Sequence, residues 1–495
     1  MNGARRDRAG TFLCRLVAGA LIAAPVMPRA VLAQAVGLGA VRDLEVQELE
    51  FTPMKPDLYE LDRGVRVLYI ENRTLPLVSV FARFKAGPSN FPRGRLGAAR
   101  GLPSLMRNAG TTSLSPDSVD KMLEFYAVQT TFGGGGQSTF TSLNTLTRHL
   151  AEALGIWTDM VRNPGFDSAR VEVWRGQELE DLRRRADTPG RLAISQFNHL
   201  MYGDHPVGWE MEPEDLTPAA VSPDVLREVH RQMFCPENLT LGVTGDVSWH
   251  DVKPLLDQML EGWPSCPGEL ADPPEAQFAT APGVYLIPKE LDQSTVILGH
   301  PSEIRLEDSP EYFSSRIGHS IFGASGFSSR LMKRLRTEEG YSYSASSVWT
   351  TPVVSRGIVG AMAQTKPEST VAAIRAILDV IEEMRQHAPN DVEVKEEIDR
   401  VANGFVFNFQ DPSQVVSRQM LYASQGLPLD WLTRYLRGIQ AVSPRSVLRT
   451  FADNVDPSRM VILILGDPSK FDPGLEELGP VTIIELTEPS TPPAR

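Results

Sequence analysis

Two hydrophobic periods run through this chain. Short β-branched stretches such as "LVSVFARF" (77–84) and "STVILGH" (294–300) predict strands, and each precedes longer patterns with apolar residues at three- and four-residue spacing. "LTRHLAEALGIWTDMVRN" (146–163) and "VAAIRAILDVIEEMRQH" (371–387) are the clearest of these predicted helices. Strands and helices mixed within each half predict an α+β sandwich, with helices covering one face of each sheet. The segment 169–186, "ARVEVWRGQELEDLRRRA", predicts a helix with a heavily charged, solvated side.

The pattern also repeats. "GVRVLYI" opens at Gly64 and "GVYLIPK" at Gly283, an offset of 219, while "LTLGVTGDVS" and "MVILILGDPS" close at Gly245-Asp246 and Gly466-Asp467, an offset of 221. Two markers at nearly one offset predict a duplicated domain of about two hundred residues. Between the halves the text turns proline-rich and loses apolar periodicity, the profile of a linker. The expected organisation is therefore a first domain over 34–262, a linker over 263–282, a second domain over 283–487 and a disordered tail over 488–495.

Residues 1–33 stand apart. A basic start, a short apolar run over 16–27 and small residues at Val31 and Ala33 predict a secretory signal peptide, hence a secreted or periplasmic protein. The run is shorter than the ~20 residues that span a bilayer, and no later apolar stretch is long enough. Losing this segment removes five arginines and one aspartate, so the formal charge of −13 becomes −17. Such acidity argues against a nucleic-acid partner. Cys14 leaves with the leader, and the two remaining thiols, Cys235 and Cys266, cannot by themselves complete a four-cysteine metal site. Export permits a disulfide between them.

The candidate chemistry lies in "SRLMKRLRTEEGYSYSASSVW" (329–349). Ser328 or Ser329 can cap a helix whose Leu331 and Leu335 share a face, and Gly340 can end it. Beyond it, Tyr341, Tyr343, Ala345, Ser347 and Trp349 are expected on one side of a strand by period-two alternation. A helix-to-strand reversal can bring Arg336 and Tyr343 together. By spacing alone, Arg336 complements a helix C-terminus and Tyr343 is a half-buried strand aromatic.

Resemblance adds a role. "GASGFSSRLMKRLRTEEGYSYSASS" (323–347) resembles the second-domain signature of the insulinase and pitrilysin-type zinc peptidases, the family that includes mitochondrial processing peptidase. "LDRGVRVLYIENRTLPLVSVFARFKAGP" (61–88) resembles that family's opening hairpin, "HRQMFCPENLTLGVTGDVS" (230–248) its first-domain close, and "STVILGHPSEIR" with "SPEYFSSRIGHSIFG" its second-domain start. The likeness covers nearly all of 50–470. It implies a clamshell of two homologous domains, each a mixed, mostly antiparallel sheet covered by helices. It also implies that Arg336 and Tyr343 hold a substrate carbonyl over a zinc ion on the opposing domain, the phenol donating to oxygen and the guanidinium adding positive potential.

The first half departs from the family pattern. Active members carry H-x-x-E-H on a helix, two histidines binding zinc and the glutamate activating water. Aligned through Gly110-Thr111, the histidine positions fall on Gly101 and Leu105 and the general-base position on Ser104. None of the three can do that work. Independently of any alignment, the histidines at 149, 199, 205, 230, 250, 300, 319 and 387 include no two that stand three, four or five residues apart. Glu178 matches the family's distant third ligand, but without histidines it reads as a surface carboxylate among Arg175, Arg183 and Arg184.

Other motifs carry less. His205 in "YGDHPVG" is expected to fix a loop, and "FGGGGQ" (132–137) lacks the Lys-Ser/Thr ending of a phosphate loop, reading instead as a flexible turn or a strand that a peptide approaches closely. "GASGF" does not have the spacing of a serine nucleophile elbow, and the glycines around Ser325 resemble the glycine-rich loop of the non-zinc subunit of processing peptidases. The expected function is a zinc-free, exported subunit that binds no metal or cofactor of its own. It would pair with a zinc-bearing homologous peptidase and lend Arg336 and Tyr343 to that partner's cleavage of a peptide or unfolded polypeptide. The alternative is a catalytically silent binding or scaffold protein of the same fold; a self-sufficient zinc peptidase would need ligands that the sequence does not offer.

Overall fold

The computed structural model describes residues 54–185, 187–278 and 280–486. The leader expected over 1–33 and the tail expected over 488–495 lie outside the described residues. Two six-stranded sheets organise the rest. The first contains β1 (Asp57–Glu60), β2 (Arg66–Glu71), β3 (Leu77–Phe84), β4 (Gln129–Gly135), β5 (Ser138–Leu146) and β6 (Leu239–Gly245), in the order β1-β2-β6-β3-β5-β4. The second contains β7 (Gly283–Pro288), β8 (Ser294–Ser302), β9 (Ser342–Trp349), β10 (Gly357–Thr365), β11 (Val461–Gly466) and β12 (Val481–Ile483), in the order β12-β7-β11-β8-β10-β9.

Five strands correspond in order and sense. The β2/β6 and β7/β11 pairs are parallel, and the successive pairs from β6 to β4 and from β11 to β9 are antiparallel. The sixth strand differs: β1 lies antiparallel to β2, whereas β12 lies parallel to β7. The register also refines the repeat. Arg66 pairs with Thr240 and Gly283 with Val461, so once Gly245 and Gly466 are equated, Gly283 takes the place of Arg66 rather than of Gly64. A slip of two residues keeps every side chain on its own face, so alternation cannot detect it.

Each sheet has two apolar faces. In β3, Val78, Val80, Ala82 and Phe84 point into a core with Leu102, Leu105, Trp157 and Leu226; in the second half, Val296, Leu298, Val359 and Ala361 meet Ile374, Ile377 and Phe451. The opposite faces are covered reciprocally. Helix Pro189–Tyr202, from the first half, lays Leu192, Phe197 and Met201 on Ile287, Ile297, Ile358 and Leu463 of the second sheet. Helix Pro412–Ser424, from the second half, lays Val416 and Met420 on Leu68, beside Ile70 and Phe81, on the first. A strand such as "VILILG", buried on both faces, needs such cover twice. Gly242 in β6 permits the close approach: a Cβ there would stand 2.4 Å from both Met420 Sδ and Val416 Cγ1.

The proline-rich segment between the halves is pinned rather than loose. Arg63 donates to the Trp263 carbonyl and, at 2.7 Å, to Ser265 Oγ; Asn90 Nδ2 donates to Ala271 O at 3.0 Å. His205 Nε2 bonds Pro274 O at 2.7 Å while its Nδ1 accepts from Val207 N at 3.2 Å, so its ring fixes a loop. Prolines lack an N–H, and the carbonyls of such a segment are therefore met by side chains. Cys235 and Cys266 form a disulfide, with Cα atoms 5.2 Å apart. Among the described residues no helix is long and apolar enough to cross a membrane.

Candidate functional site

Ser329 caps the basic helix, its Oγ accepting from Met332 N, and Leu331 and Leu335 are fully buried as the pattern predicts. After one α-turn over Arg330–Met332 the backbone widens into a π-helix over Lys333–Glu338, and Gly340 adopts φ +68° before the chain enters β9. Arg330 anchors the start through two bonds to Glu393, at 3.0 and 2.7 Å, and one to Glu383 at 3.0 Å. Arg336 lies on the free side. Its Nη1 donates to the backbone carbonyl of Tyr343 at 3.1 Å, and its guanidinium stacks on Phe327, 4.8 Å from the ring centroid.

That contact depends on a β-bulge, which corrects the expected alternation. Thr365 pairs with Ser342 and Gln364 with Ser344, so Tyr343 has no partner on β10. Ser342 is consequently buried, Tyr343 is 62% exposed, and Ala345 and Trp349 point into the core. Tyr341, Tyr343 and Ala345 do not share one face. A bulge frees one residue from the ladder and re-aims its side chain. Here the freed carbonyl is taken by Arg336, and Ser342 Oγ stitches the irregularity, its one proton shared between Gln364 O at 2.6 Å and Ser344 O at 2.7 Å while the oxygen accepts from Ser344 N at 3.2 Å. Neither Ser342 nor Phe327 carries a periodic or motif signal that would have singled it out.

The glycine-rich segment packs behind this strand. A Cβ on Gly323 would stand 2.3 Å from Ser347 N, so only glycine lets the π-turn Ser320–Ala324 approach β9 so closely. His319 fastens the two from both sides, its Nε2 3.2 Å from Ser347 O and its carbonyl accepting from Ser347 Oγ at 3.1 Å. Burial lowers the His319 pKa to about 4. Below the turn, Ser320 donates to the buried Glu397, which also faces Arg400 at 3.3 Å. "FGGGGQ" forms the end of the edge strand β4 and a tight turn, with Gly136 at φ +55°.

The first-half helix Leu96–Asn108 is built as core. Gly101 and Leu105 are buried, Ser104 is half-buried, and Pro103 interrupts the helix interior. Trp174, on helix Ser168–Arg185, covers Gly101: a Cβ there would meet Trp174 Cη2 at 2.5 Å and Cζ2 at 2.7 Å. Glu178 stands one turn beyond Trp174. Burial, and then Asp181, raise its pKa, while Arg100 opposes them. The expected arginine surroundings are corrected: Arg175 bonds Glu172 and Leu216 O, and Arg183 and Arg184 pair with Glu180. Among the described residues, one group of three metal-type donors converges, Cys235, Glu237 and Cys266, and its sulfurs are joined to each other rather than free as thiolates.

Comparison with known proteins places this architecture. Residues 220–401 match the model of the Peptidase M16 inactive domain. An uncharacterised zinc protease of Streptomyces coelicolor is 25% identical over 67% of this chain and 74% of its own length, and the non-peptidase homolog YmxG of Helicobacter pylori is 21% identical over 77% of this chain and 87% of its own. In three dimensions, the peptidase M16 inactive domain from Pseudomonas fluorescens superposes with a TM-score of 0.75 at 21% identity, covering 84% of this chain and 98% of the other. The periplasmic protease PqqL of Escherichia coli gives 0.74 at 15% identity, covering 84% of this chain and 46% of its own. The structural likenesses establish the shared fold, and the matched family model and the Helicobacter pylori homolog fit a non-catalytic chain of that fold.

Proposed function

We propose, from the premise that this chain belongs to the insulinase-like M16 peptidase family, that it is the zinc-free half of a two-chain metallopeptidase. It acts outside the cytoplasm and lends Arg336 and Tyr343 to the active site of a zinc-bearing homologue. The observation that carries this reading is a contrast between the two halves. At the second-half site the bulge holds Tyr343 exposed, with Arg336 fixed beside it, whereas at the first-half helix Trp174 closes over Gly101. A phenol that faces solvent and needs no partner for folding is free to donate to a substrate carbonyl as negative charge gathers on its oxygen. Arg336 adds fixed positive potential and, through the Tyr343 carbonyl, sets the phenol's position.

The substrate class that suits this role is a peptide or unfolded polypeptide. The test is to purify the exported chain, measure bound zinc and peptide cleavage, and repeat after co-expression with a homologue that carries H-x-x-E-H. The expected result is no stoichiometric zinc and no cleavage alone, with chelator-sensitive cleavage in the mixture. Zinc-dependent cleavage by the isolated chain would overturn the reading, and absence of any effect on the partner would favour a silent scaffold.

A further inference from the structure

One row of the first sheet has an unusual charge. Reading across paired residues, Glu60 on β1 faces Arg66 on β2, Arg66 faces Thr240 on β6, Thr240 faces Arg83 on β3, Arg83 faces Phe140 on β5, and Phe140 faces Gly133 on β4. Register partners share a face, and this face is that of Leu68 and Phe81, over which helix Pro412–Ser424 lies. Arg66 has an acidic neighbour in the row. Arg83 has only threonine and phenylalanine.

The guanidinium of Arg83 donates from Nη1 to Ser138 Oγ at 2.7 Å and stands 5.7 Å from the centroid of the Phe140 ring. Phe140 in turn lies against Gly133, where a Cβ would come 2.8 Å from its Cζ. The cation is thus oriented by a hydroxyl and a ring. Among the described residues no carboxylate lies within 4.0 Å of it. Among the described residues burial lowers the pKa of three arginines, and the other two, Arg100 and Arg162, have offsetting acids in Glu210 with Asp215 and in Asp159. Arg83 has no such offset. A guanidinium carries five N–H donors in a planar fork, and one neutral hydroxyl satisfies one of them. Lys85, exposed two residues further on, adds a second cation, in a chain of formal charge −13.

We propose that Arg83, aligned by Ser138 and Phe140, is a binding position for a carboxylate of an extended peptide, either its C-terminal carboxylate or an acidic side chain. Beside it, Gly135 and Gly136 have open space where side chains would stand, so backbone can draw near the fork. The inference shares with the proposed function only that this chain receives a peptide; it requires neither zinc nor a partner.

The experiment is fluorescence anisotropy at low salt, with the whole exported chain and one short unstructured labelled peptide in three forms: C-terminal amide, free acid, and amide with one internal glutamate. At least one acidic form is expected to bind ~10-fold more tightly than the neutral amide, as a charge-assisted bidentate pair does. Whichever form gains identifies the source of the carboxylate. Arg83→Gln should remove the preference and Ser138→Ala should reduce it several-fold, both with unchanged circular dichroism. Equal affinity for the three forms, no binding of any form, or a preference that survives Arg83→Gln would overturn the proposal. If Arg83→Gln does not fold, full preference in Ser138→Ala does the same. The subunit reading is decided separately, by turnover in the mixture with a zinc-bearing homologue.

Discussion

Trp174 occupies the space above Gly101, its Cη2 only 2.5 Å from where a Cβ would stand. Helix Leu96–Asn108 is closed at this point by an indole from its neighbour, helix Ser168–Arg185. Gly101→Ala should therefore lower stability by about 1–3 kcal/mol, the usual range for overpacking a filled core, measured by urea denaturation. Combined with Trp174→Leu, which opens the space, the alanine should cost markedly less than it does alone. Strict additivity of the two changes would show that they do not meet.

The side chain of Tyr343 is exposed and lies outside the hydrophobic core. Tyr343→Phe should leave the melting temperature unchanged while lowering turnover in the mixture with a zinc-bearing homologue by roughly 10²-fold, as loss of one preorganised donor does. Full turnover would remove Tyr343 from the reaction.

Ser342 should behave in the opposite way. It stitches the bulge from within, so Ser342→Ala removes the hydroxyl that the half-buried carbonyls of Ser344 and Gln364 share and should cost about 0.5–1.5 kcal/mol. Turnover should fall with it, because the bulge aims Tyr343. Arg336→Lys should keep the charge but impair turnover, since an ammonium does not reproduce the fork that holds the Tyr343 carbonyl while stacked on Phe327.

Reciprocal exchange of helices makes Gly242 a sensitive point. Gly242→Val would drive a side chain into Met420 and Val416 and lift helix Pro412–Ser424 from the first sheet. The expected outcome is faster limited proteolysis within that helix and a lower melting temperature, while Gly155→Ala, with nothing within 4 Å of a Cβ, should be neutral or slightly stabilising.

Acid should destabilise the fold over a defined window. Burial holds His230 and His319 neutral, each with a pKa of about 4 against about 6.5 in the unfolded chain. The unfolded state therefore binds more protons between these values. The stability they contribute is complete above pH ~6.5 and is lost progressively as pH falls toward ~4, at up to about 1.4 kcal/mol per pH unit for each residue. Urea midpoints taken across that range should show the slope, and His319→Gln should make it shallower. An unchanged slope in that variant would mean His319 does not take up the proton.

Local pattern was enough for much of this protein. Period-two and helical spacing placed the strands 77–84 and 294–300 and the helices around 150–162 and 371–386 because burying one face fixes which residues must be apolar. The markers at Gly245 and Gly466 made the duplication legible, and residue type alone disqualified Gly101, Ser104 and Leu105 as ligand or base. Tertiary structure decided the rest. The bulge at Tyr343 arises from pairing with β10, a strand that begins fourteen residues later, so no window around 343 contains it. Trp174 meets Gly101 across more than seventy residues, and helices Pro189–Tyr202 and Pro412–Ser424 each cover the other half's sheet. Alternation states that a face must be covered; only the folded chain states by what.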